Sequence, residues 1–396
     1  MKVLLIDVNY RQGSTGKIVY DLYNELNNGG HMSSACYGRG PKYCDRDVFK
    51  FGINIETYFH AFLSRMTGVT GCFSFFSTRR FLKYFKKFSP DVVHIHELHG
   101  YFVNIVKVMK YLKKNNIKTI WTFHCEFMYS GKGYLPESGV YKKNEMKKIY
   151  PKSLFFERSR QMAKRYEKTF KGFDNLDIIT PSNWLAEKVK KTFLRDKNIQ
   201  VINNGIDTNL FKYNSNNGIK ENLKLQNKKI ILSVAPNIMC ERKGGDLVLE
   251  LAKRYSNEFT FILIGVKDEN MNIERPDNVI LIQSIYNQKE LVNYYSAADV
   301  FLIPSRQENF PTTCIEALCC GLPVVGFDVG GSKETIPDGC GAFVDPFDLD
   351  KLHIALNKII NDQGINKEKI MKYAHARYSK DVFKEKMLEV YYRRGK

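Results

Sequence analysis

Short apolar runs alternate with stretches of helical periodicity along this chain. The first run, Met1-Lys2-Val3-Leu4-Leu5-Ile6-Asp7-Val8, reads as a buried strand. It is too short and too soon charged to be a signal peptide. Strand-like runs recur at 90–96, 118–124, 177–180, 200–202, 229–234, 259–265, 279–283 and 297–304. Helical patterns fall between them, among them 18–26, a Ser-capped start after Ser182, and 381–392. This alternation predicts α/β layers around parallel sheets. The polar stretch 213–229 is the natural linker between two domains, and 127–134 reads as a loop rather than a core element.

At 396 residues the chain can bury two ordinary cores. Its 43% hydrophobic and 26% charged residues are ordinary for a globular protein. No apolar run approaches the length of a membrane span. Nine cysteines, an odd number with no CxxC pair, favour reduced buried thiols in a cytosolic compartment over disulfides or a zinc site. The net charge is +19, and it is unevenly spread: residues 1–211 hold 35 Lys and Arg against 18 Asp and Glu. An anionic partner for that half follows, either a membrane surface or nucleic acid. No nucleic-acid-binding module is recognisable, so the membrane surface is the expectation and nucleic acid is not. Two segments carry the charge. In 58–88, aromatics mix with Arg79-Arg80 and Lys86-Lys87. Positions 81, 82 and 85, with 84 and 88, could face the core, or the helix could rest on anionic lipid. Residues 142–171 are densely basic, which on its own is a solvated helix face.

The richest chemistry lies in Ser305-Arg306-Gln307-Glu308-Asn309-Phe310-Pro311-Thr312-Thr313-Cys314-Ile315-Glu316. The apolar run before it is a strand, and the pattern after Pro311 is helical as far as Gly321. Glu308 therefore sits in a loop at a strand's carboxyl end, and Glu316 about one turn inside a helix. Backbone N–H groups near Phe310 to Thr313 form a helix N-terminus that suits an anion. Two carboxylates flanking an anion cradle suit a nucleotide-diphosphate sugar. Other strings are weaker. Gly13-Ser14-Thr15-Gly16-Lys17 fails as a P-loop at Arg11 and Ile18. It is either a tight turn or a backbone that lets a ligand approach. His94 and His96 share a strand face, but no third metal ligand accompanies them, and no metal is expected.

Glu308 and Glu316, followed by Ala317-Leu318 and Gly321-Leu322-Pro323-Val324-Val325, resemble the E-x7-E signature of family-4 glycosyltransferases of the GT-B fold. Tyr295-Ser296-Ala297-Ala298-Asp299, Pro304-Ser305 and Gly330-Gly331 extend the resemblance over 291–331. It implies two Rossmann-like domains, 1–211 for acceptor and 212–380 for donor, facing across a cleft. Residues 381–396 would pack back on the first domain. The implied reaction transfers a sugar, with retention, from a nucleotide diphosphate sugar (UDP-sugar favoured over GDP-sugar) to a saccharide acceptor. The implied donor site comprises Gly16, Arg242, Lys243, Ser305, Glu308, Asn309, Phe310, Pro311, Thr312, Thr313 and Glu316.

Within that implied site Glu308 binds donor-sugar hydroxyls and Glu316 the ribose. Lys243 neutralises the diphosphate, and His124 faces the sugar or diphosphate. His99, Gly100 and Tyr101 lie on the acceptor side. The family arginine is missing at Asn237, with Arg242 as its candidate replacement, and Cys125-Glu126 stand where relatives often have Asp. No DxD pair is placed to bind a metal–diphosphate, so no metal or cofactor is expected. Charge and family habit together imply a cytoplasmic enzyme, peripheral on the inner face of the plasma membrane, with a lipid-linked acceptor in capsule or exopolysaccharide assembly. A sugar-nucleotide 2-epimerase on the same fold, and a basic binding protein with a degenerate donor site, are the alternatives.

Overall fold

Val3, Leu4, Leu5 and Ile6 are all buried, so successive side chains of this strand meet a core on both faces. That is what a central parallel strand requires, and the computed structural model, which describes residues 1–136, 142–362 and 364–393, places it there. The first sheet comprises β1 (Lys2–Asp7), β2 (Met32–Tyr37), β3 (Val48–Lys50), β4 (Val92–Ile95), β5 (Lys118–Thr122), β6 (Leu176–Thr180) and β7 (Asn198–Val201). Its order is β3-β2-β1-β4-β5-β6-β7, with every pairing parallel. Val3, Leu5, Val92 and Ile120 join one core layer; Leu4, Ile6, Val93 and Trp121 join the other.

The second sheet comprises β8 (Lys229–Val234), β9 (Phe259–Val266), β10 (Val279–Gln283), β11 (Val300–Ile303), β12 (Val324–Phe327) and β13 (Gly341–Val344). Its order is β10-β9-β8-β11-β12-β13, again all parallel. The chain is thus two Rossmann-like α/β units, each with a core layer on both faces of its sheet.

The first unit is Met1–Asn203 with the C-terminal stretch from Phe383; the second is Asn204–Val382. The join therefore falls earlier than residue 211. Ile206 bridges to Ser379, and Phe211 is buried in the second unit's core. Residues 213–229 lie inside the second unit, where Ile219 and Leu225 are buried on either side of a short helix, Ile219–Asn222. The last helix, Lys380–Tyr392, sends Phe383, Met387, Val390 and Tyr391 into the first unit's core. Residues 394–396 of the predicted C-terminal segment lie outside the described residues.

Three helices of the first unit matter below: α1 (Gly13–Asn28), α2 (Asn54–Thr67) and α3 (Phe75–Phe88). α1 starts a turn earlier than the periodicity suggested. The segment read as a loop at 127–134 begins as a helical turn, Phe127–Ser130, with all four residues buried. Phe127 packs at a tilt against Tyr166, and burial of three large side chains outweighs the glycines that made the stretch look open. No helix among the described residues is long and apolar enough to cross a membrane.

Candidate active site

In the second unit, β8 and β11 are neighbours, so the loops after them meet. The loop after β8 turns through Glu241–Lys243 to Gly244, whose φ of +72° is in the left-handed region. A Cβ on Gly244 would lie 2.2 Å from the Pro304 carbonyl oxygen, so only glycine allows this approach. The Arg306 N–H donates to the Arg242 carbonyl at 2.9 Å and stitches the two loops together. The stitching delivers Lys243 to Glu308. Their side chains form a short ion pair, and the Arg242 guanidinium stands 3.9 Å from the other Glu308 oxygen. Glu308 is buried. Burial alone would raise its pKa; Lys243 and Arg242, with the Ser305 hydroxyl, outweigh it and hold the carboxyl below its usual value. Arg242, the candidate replacement for the arginine expected near Asn237, remains half exposed. Arg306 is occupied by a bidentate pair with Asp246 at 2.8 and 2.6 Å.

Phe310 and Pro311 are buried, and Pro311 precedes the helix Thr312–Cys319. Its N-cap residue, Pro311, makes no side-chain capping hydrogen bond, and its first turn carries no acidic residue. The N–H groups of Thr312 and Thr313 therefore end the loop that begins at Ser305 and runs through Asn309. Glu316, one turn on, accepts a 2.8 Å hydrogen bond from the buried Tyr295 hydroxyl. Burial and then Glu316 itself push the Tyr295 phenol well up, so it acts as donor. Tyr295 stood in the sequence motif without a role; its position facing Glu316 gives it one.

The first unit gathers a second cluster at the carboxyl ends of β1, β4 and β5. His124 Nε2 and His96 Nδ1 are 3.0 Å apart, and their rings stack. The His94 ring lies 4.2 Å from that of His96, centre to centre. Both His94 nitrogens are hydrogen-bonded, to Tyr391 at 2.7 Å and to Thr122 at 2.8 Å. Burial drives His94 and His124 down to about 3, so both rings are neutral at pH 7. His99 Nε2 lies 3.0 Å from Glu97 and 3.9 Å from the Cys125 thiol. These three are the one group among the described residues close enough to hold a cation; their ligand atoms lie within 4.8 Å. A small cavity reaches His96, Glu97, His99, His124 and Cys125.

Asp7, fully buried at the end of β1, accepts from the Glu97 and Asn9 N–H groups and from the Thr15 hydroxyl. Burial and the nearby Glu97 push its carboxyl well above the usual range. Gly16, one residue on from Thr15, is buried; a Cβ there would crowd the Asn9 carbonyl carbon at 3.1 Å. Gly100 is buried, and the Tyr101 carbonyl accepts from the Ser74 hydroxyl at 2.9 Å. Asp7 and Glu97 were missed from sequence, where the only signal was an acid closing an apolar run.

Comparison with known proteins decides the family. The model described as Glycosyltransferase Family 4 matches residues 15–210, and that described as Glycosyl transferases group 1 matches 215–377. This chain is a family-4 glycosyltransferase. A Klebsiella pneumoniae relative, an uncharacterized 41.2 kDa protein in the cps region, is 28% identical over 76% of this glycosyltransferase and 78% of its own length. The Staphylococcus aureus capsular polysaccharide biosynthesis glycosyltransferase CapM is 25% identical over 48% of this chain, which spans about half (53%) of CapM. Sucrose-phosphate synthase from Thermosynechococcus elongatus superposes with a TM-score of 0.72 at 19% identity, covering 98% of both chains. Anabaena HepE in complex with UDP-glucose superposes at 0.67 and 14% identity, over 98% and 99% of the two chains. The fold of this glycosyltransferase is therefore GT-B.

Proposed function

We propose that this glycosyltransferase moves a hexosyl or N-acetylhexosaminyl group from a nucleotide diphosphate sugar, UDP-linked in preference to GDP-linked, to a hydroxyl of a lipid-linked saccharide. The product is retained in anomeric configuration and belongs to capsule or exopolysaccharide assembly. The observation that carries the reading is the convergence of Lys243 and Arg242 on Glu308, beside the helix N-terminus at Thr312, whose first turn carries no acidic residue. As the glycosidic bond breaks, negative charge grows on the departing diphosphate. Two cations and aligned N–H groups stabilise that charge without a metal ion. The acceptor proton passes to the leaving phosphate.

Glu308 then exchanges part of its ion pair for donor-sugar hydroxyls. Glu316, held by Tyr295, accepts from the ribose hydroxyls. His124, neutral, offers hydrogen bonds to the sugar or diphosphate. The UDP preference leans on HepE, solved with UDP and UDP-glucose. The acceptor leans on a Campylobacter jejuni relative, named as an N-acetylgalactosaminyltransferase acting on a diphospho-undecaprenol-linked sugar. A lipid-linked acceptor and the basic first half of the chain support a peripheral position on the inner face of the plasma membrane.

Thermal unfolding with UDP, GDP, ADP and their sugar conjugates, with and without EDTA, tests the donor site. A ligand of the folded state raises the midpoint by mass action. One nucleotide, UDP, should do so with EDTA present, and Glu316→Ala should abolish most of the rise. No shift with any nucleotide would remove the donor site. Product analysis without acceptor separates transfer from epimerisation, since an epimerase would convert the sugar nucleotide alone.

A further inference from the structure

α2 is built inside out. Its buried residues are Thr57, His60 and Ser64, whereas Ile55, Tyr58, Phe59 and Phe62 are exposed. Those four stand at i, i+3, i+4 and i+7, one continuous face of the helix. A surface helix normally turns such a stripe to the core. Here polar bonds hold the inner face instead. His60 Nδ1 meets the Ser74 hydroxyl at 2.7 Å, and Glu56 accepts from the Phe76 and Ser77 N–H groups at the start of α3 at 2.8 and 2.7 Å.

The stripe does not stand alone. Phe75 and Phe76 are exposed beside the start of α2, where the Phe76 N–H donates to Glu56. Leu154, Phe155 and Phe156 are exposed beside its last turn, tied on by the Leu154 N–H donating to the Arg65 carbonyl at 2.8 Å. All nine side chains are between 52% and 82% exposed, well beyond the scattered apolar residues of an ordinary surface. Beyond its first turn α3 turns to the core, where Phe81 and Phe85 are buried.

Charge identifies the occupant. Residues 54–88 hold six Lys and Arg and a single acid, Glu56, which is consumed at the start of α3. Residues 142–171 hold eleven basic and three acidic residues. Arg65, Arg79, Arg80 and Lys152 are exposed at the rim. Two copies pressed face to face would set these basic rims against each other. An anionic bilayer complements both parts, with aromatics at the headgroup boundary and cations over the lipid phosphates. The inner side of the same helix reaches the residues on the implied acceptor side: the His60 ring packs on Tyr101 at 5.6 Å, and Tyr150 touches both Tyr101 and His99.

We propose that the exposed face of α2, with Phe75, Phe76 and Leu154 to Phe156, inserts into the headgroup layer of an anionic phospholipid bilayer and holds the acceptor side of the first unit at the membrane. The link to acceptor delivery rests on the function proposed above; the insertion itself does not.

The test is flotation of the full chain with phosphatidylcholine vesicles, with and without phosphatidylglycerol. The wild type should float with the anionic vesicles only. Tyr58→Ser/Phe59→Ser/Phe62→Ser should lower the bound fraction by about tenfold or more. Because these side chains face outward, its unfolding midpoint and its nucleotide-induced shift should match the wild type. Phe62→Trp should show a blue-shifted emission on anionic vesicles. Equal flotation of the triple variant, or an unshifted Trp emission, overturns the proposal. So does loss of a dimer in the triple variant without vesicle binding by the wild type. Flotation without any nucleotide shift would sink the donor site and leave the surface standing; a nucleotide shift without flotation would do the reverse.

Discussion

The two units solve the same problem, placing polar groups at the carboxyl ends of a parallel sheet, in opposite ways. The second unit uses charge. Its carboxylate Glu308 is buried but matched at once by Lys243 and Arg242, and the group stays ionised. The first unit uses neutrality. His94, His96 and His124 are clustered and buried, and Asp7 is held above its ordinary range. On the function proposed above, the departing diphosphate meets standing positive charge from the second unit, whereas the first unit offers neutral groups, His124 among them, that hydrogen-bond without adding charge. On that reading the second unit supplies the donor end and the first unit the acceptor side.

Removing Lys243 breaks the contrast most severely. Lys243→Ala leaves Glu308 buried with only Arg242 at 3.9 Å, and takes a cation from the leaving group. Loss of one such group costs roughly a hundred- to a thousandfold in kcat/KM. Steady-state rates against donor concentration check it; a drop under tenfold would mean that Lys243 is structural.

The next effect is on stability, and it separates the units by pH. Burial pushes His94 and His124 down to about 3 and His60 to about 4. Below about pH 6.5 the unfolded chain binds protons that these folded rings refuse, so stability is full above that value and falls as pH drops. Asp7 has the opposite sign. Its raised pKa lets the folded state keep a proton that the unfolded chain has lost, so its contribution fades as pH rises through its folded value, about 8. Each unmatched proton gives a slope of about 1.4 kcal/mol per pH unit. The midpoint should therefore peak between about pH 6 and 7, and Asp7→Asn should flatten the alkaline fall. Calorimetry across that range decides, and a midpoint still rising toward pH 8 would contradict the neutral cluster.

Arg242→Ala sharpens the comparison at a smaller scale. Its guanidinium is half exposed, and at 3.9 Å from Glu308 it makes a longer contact than Lys243 does. A loss of about tenfold in kcat/KM fits a partly screened cation. An unchanged rate would mean that the charge missing at Asn237 has no replacement.

The donor end was legible because its parts are contiguous. Strand, loop and helix from Val300 to Cys319 lay Glu308 and Glu316 down in one string, and local rules place each of them. The first unit's cluster comes from the separate ends of β1, β4 and β5, so the one linear signal at Asp7 and Glu97, an acid closing an apolar run, did not show that they meet. α2 shows a different limit. Its apolar positions have the right period for a helix, but period does not say which face turns inward. Only His60 on Ser74, and Glu56 on the start of α3, reveal the inversion. The join near residue 203 escaped for a related reason: residues 213–229 look like a linker by composition, yet Ile219 and Leu225 are enough to anchor them in the second core.

Tyr295→Phe is the finest probe of the donor end. The hydroxyl touches Glu316 at 2.8 Å, and the ring keeps its packing against Phe301 and Phe211 when the oxygen is removed. Only the hydrogen bond that aims the carboxylate is lost. Such a bond contributes about 1 kcal/mol, which is roughly three- to tenfold in nucleotide affinity. If Glu316 grips the ribose, calorimetric titration with the nucleotide should show that loss, while a 2′-deoxyribose nucleotide, lacking one of the hydroxyls, should bind both forms nearly equally. A loss of the same size for both nucleotides would mean that Tyr295 steadies the helix rather than the carboxylate, and the ribose contact would have to be sought elsewhere in the second unit.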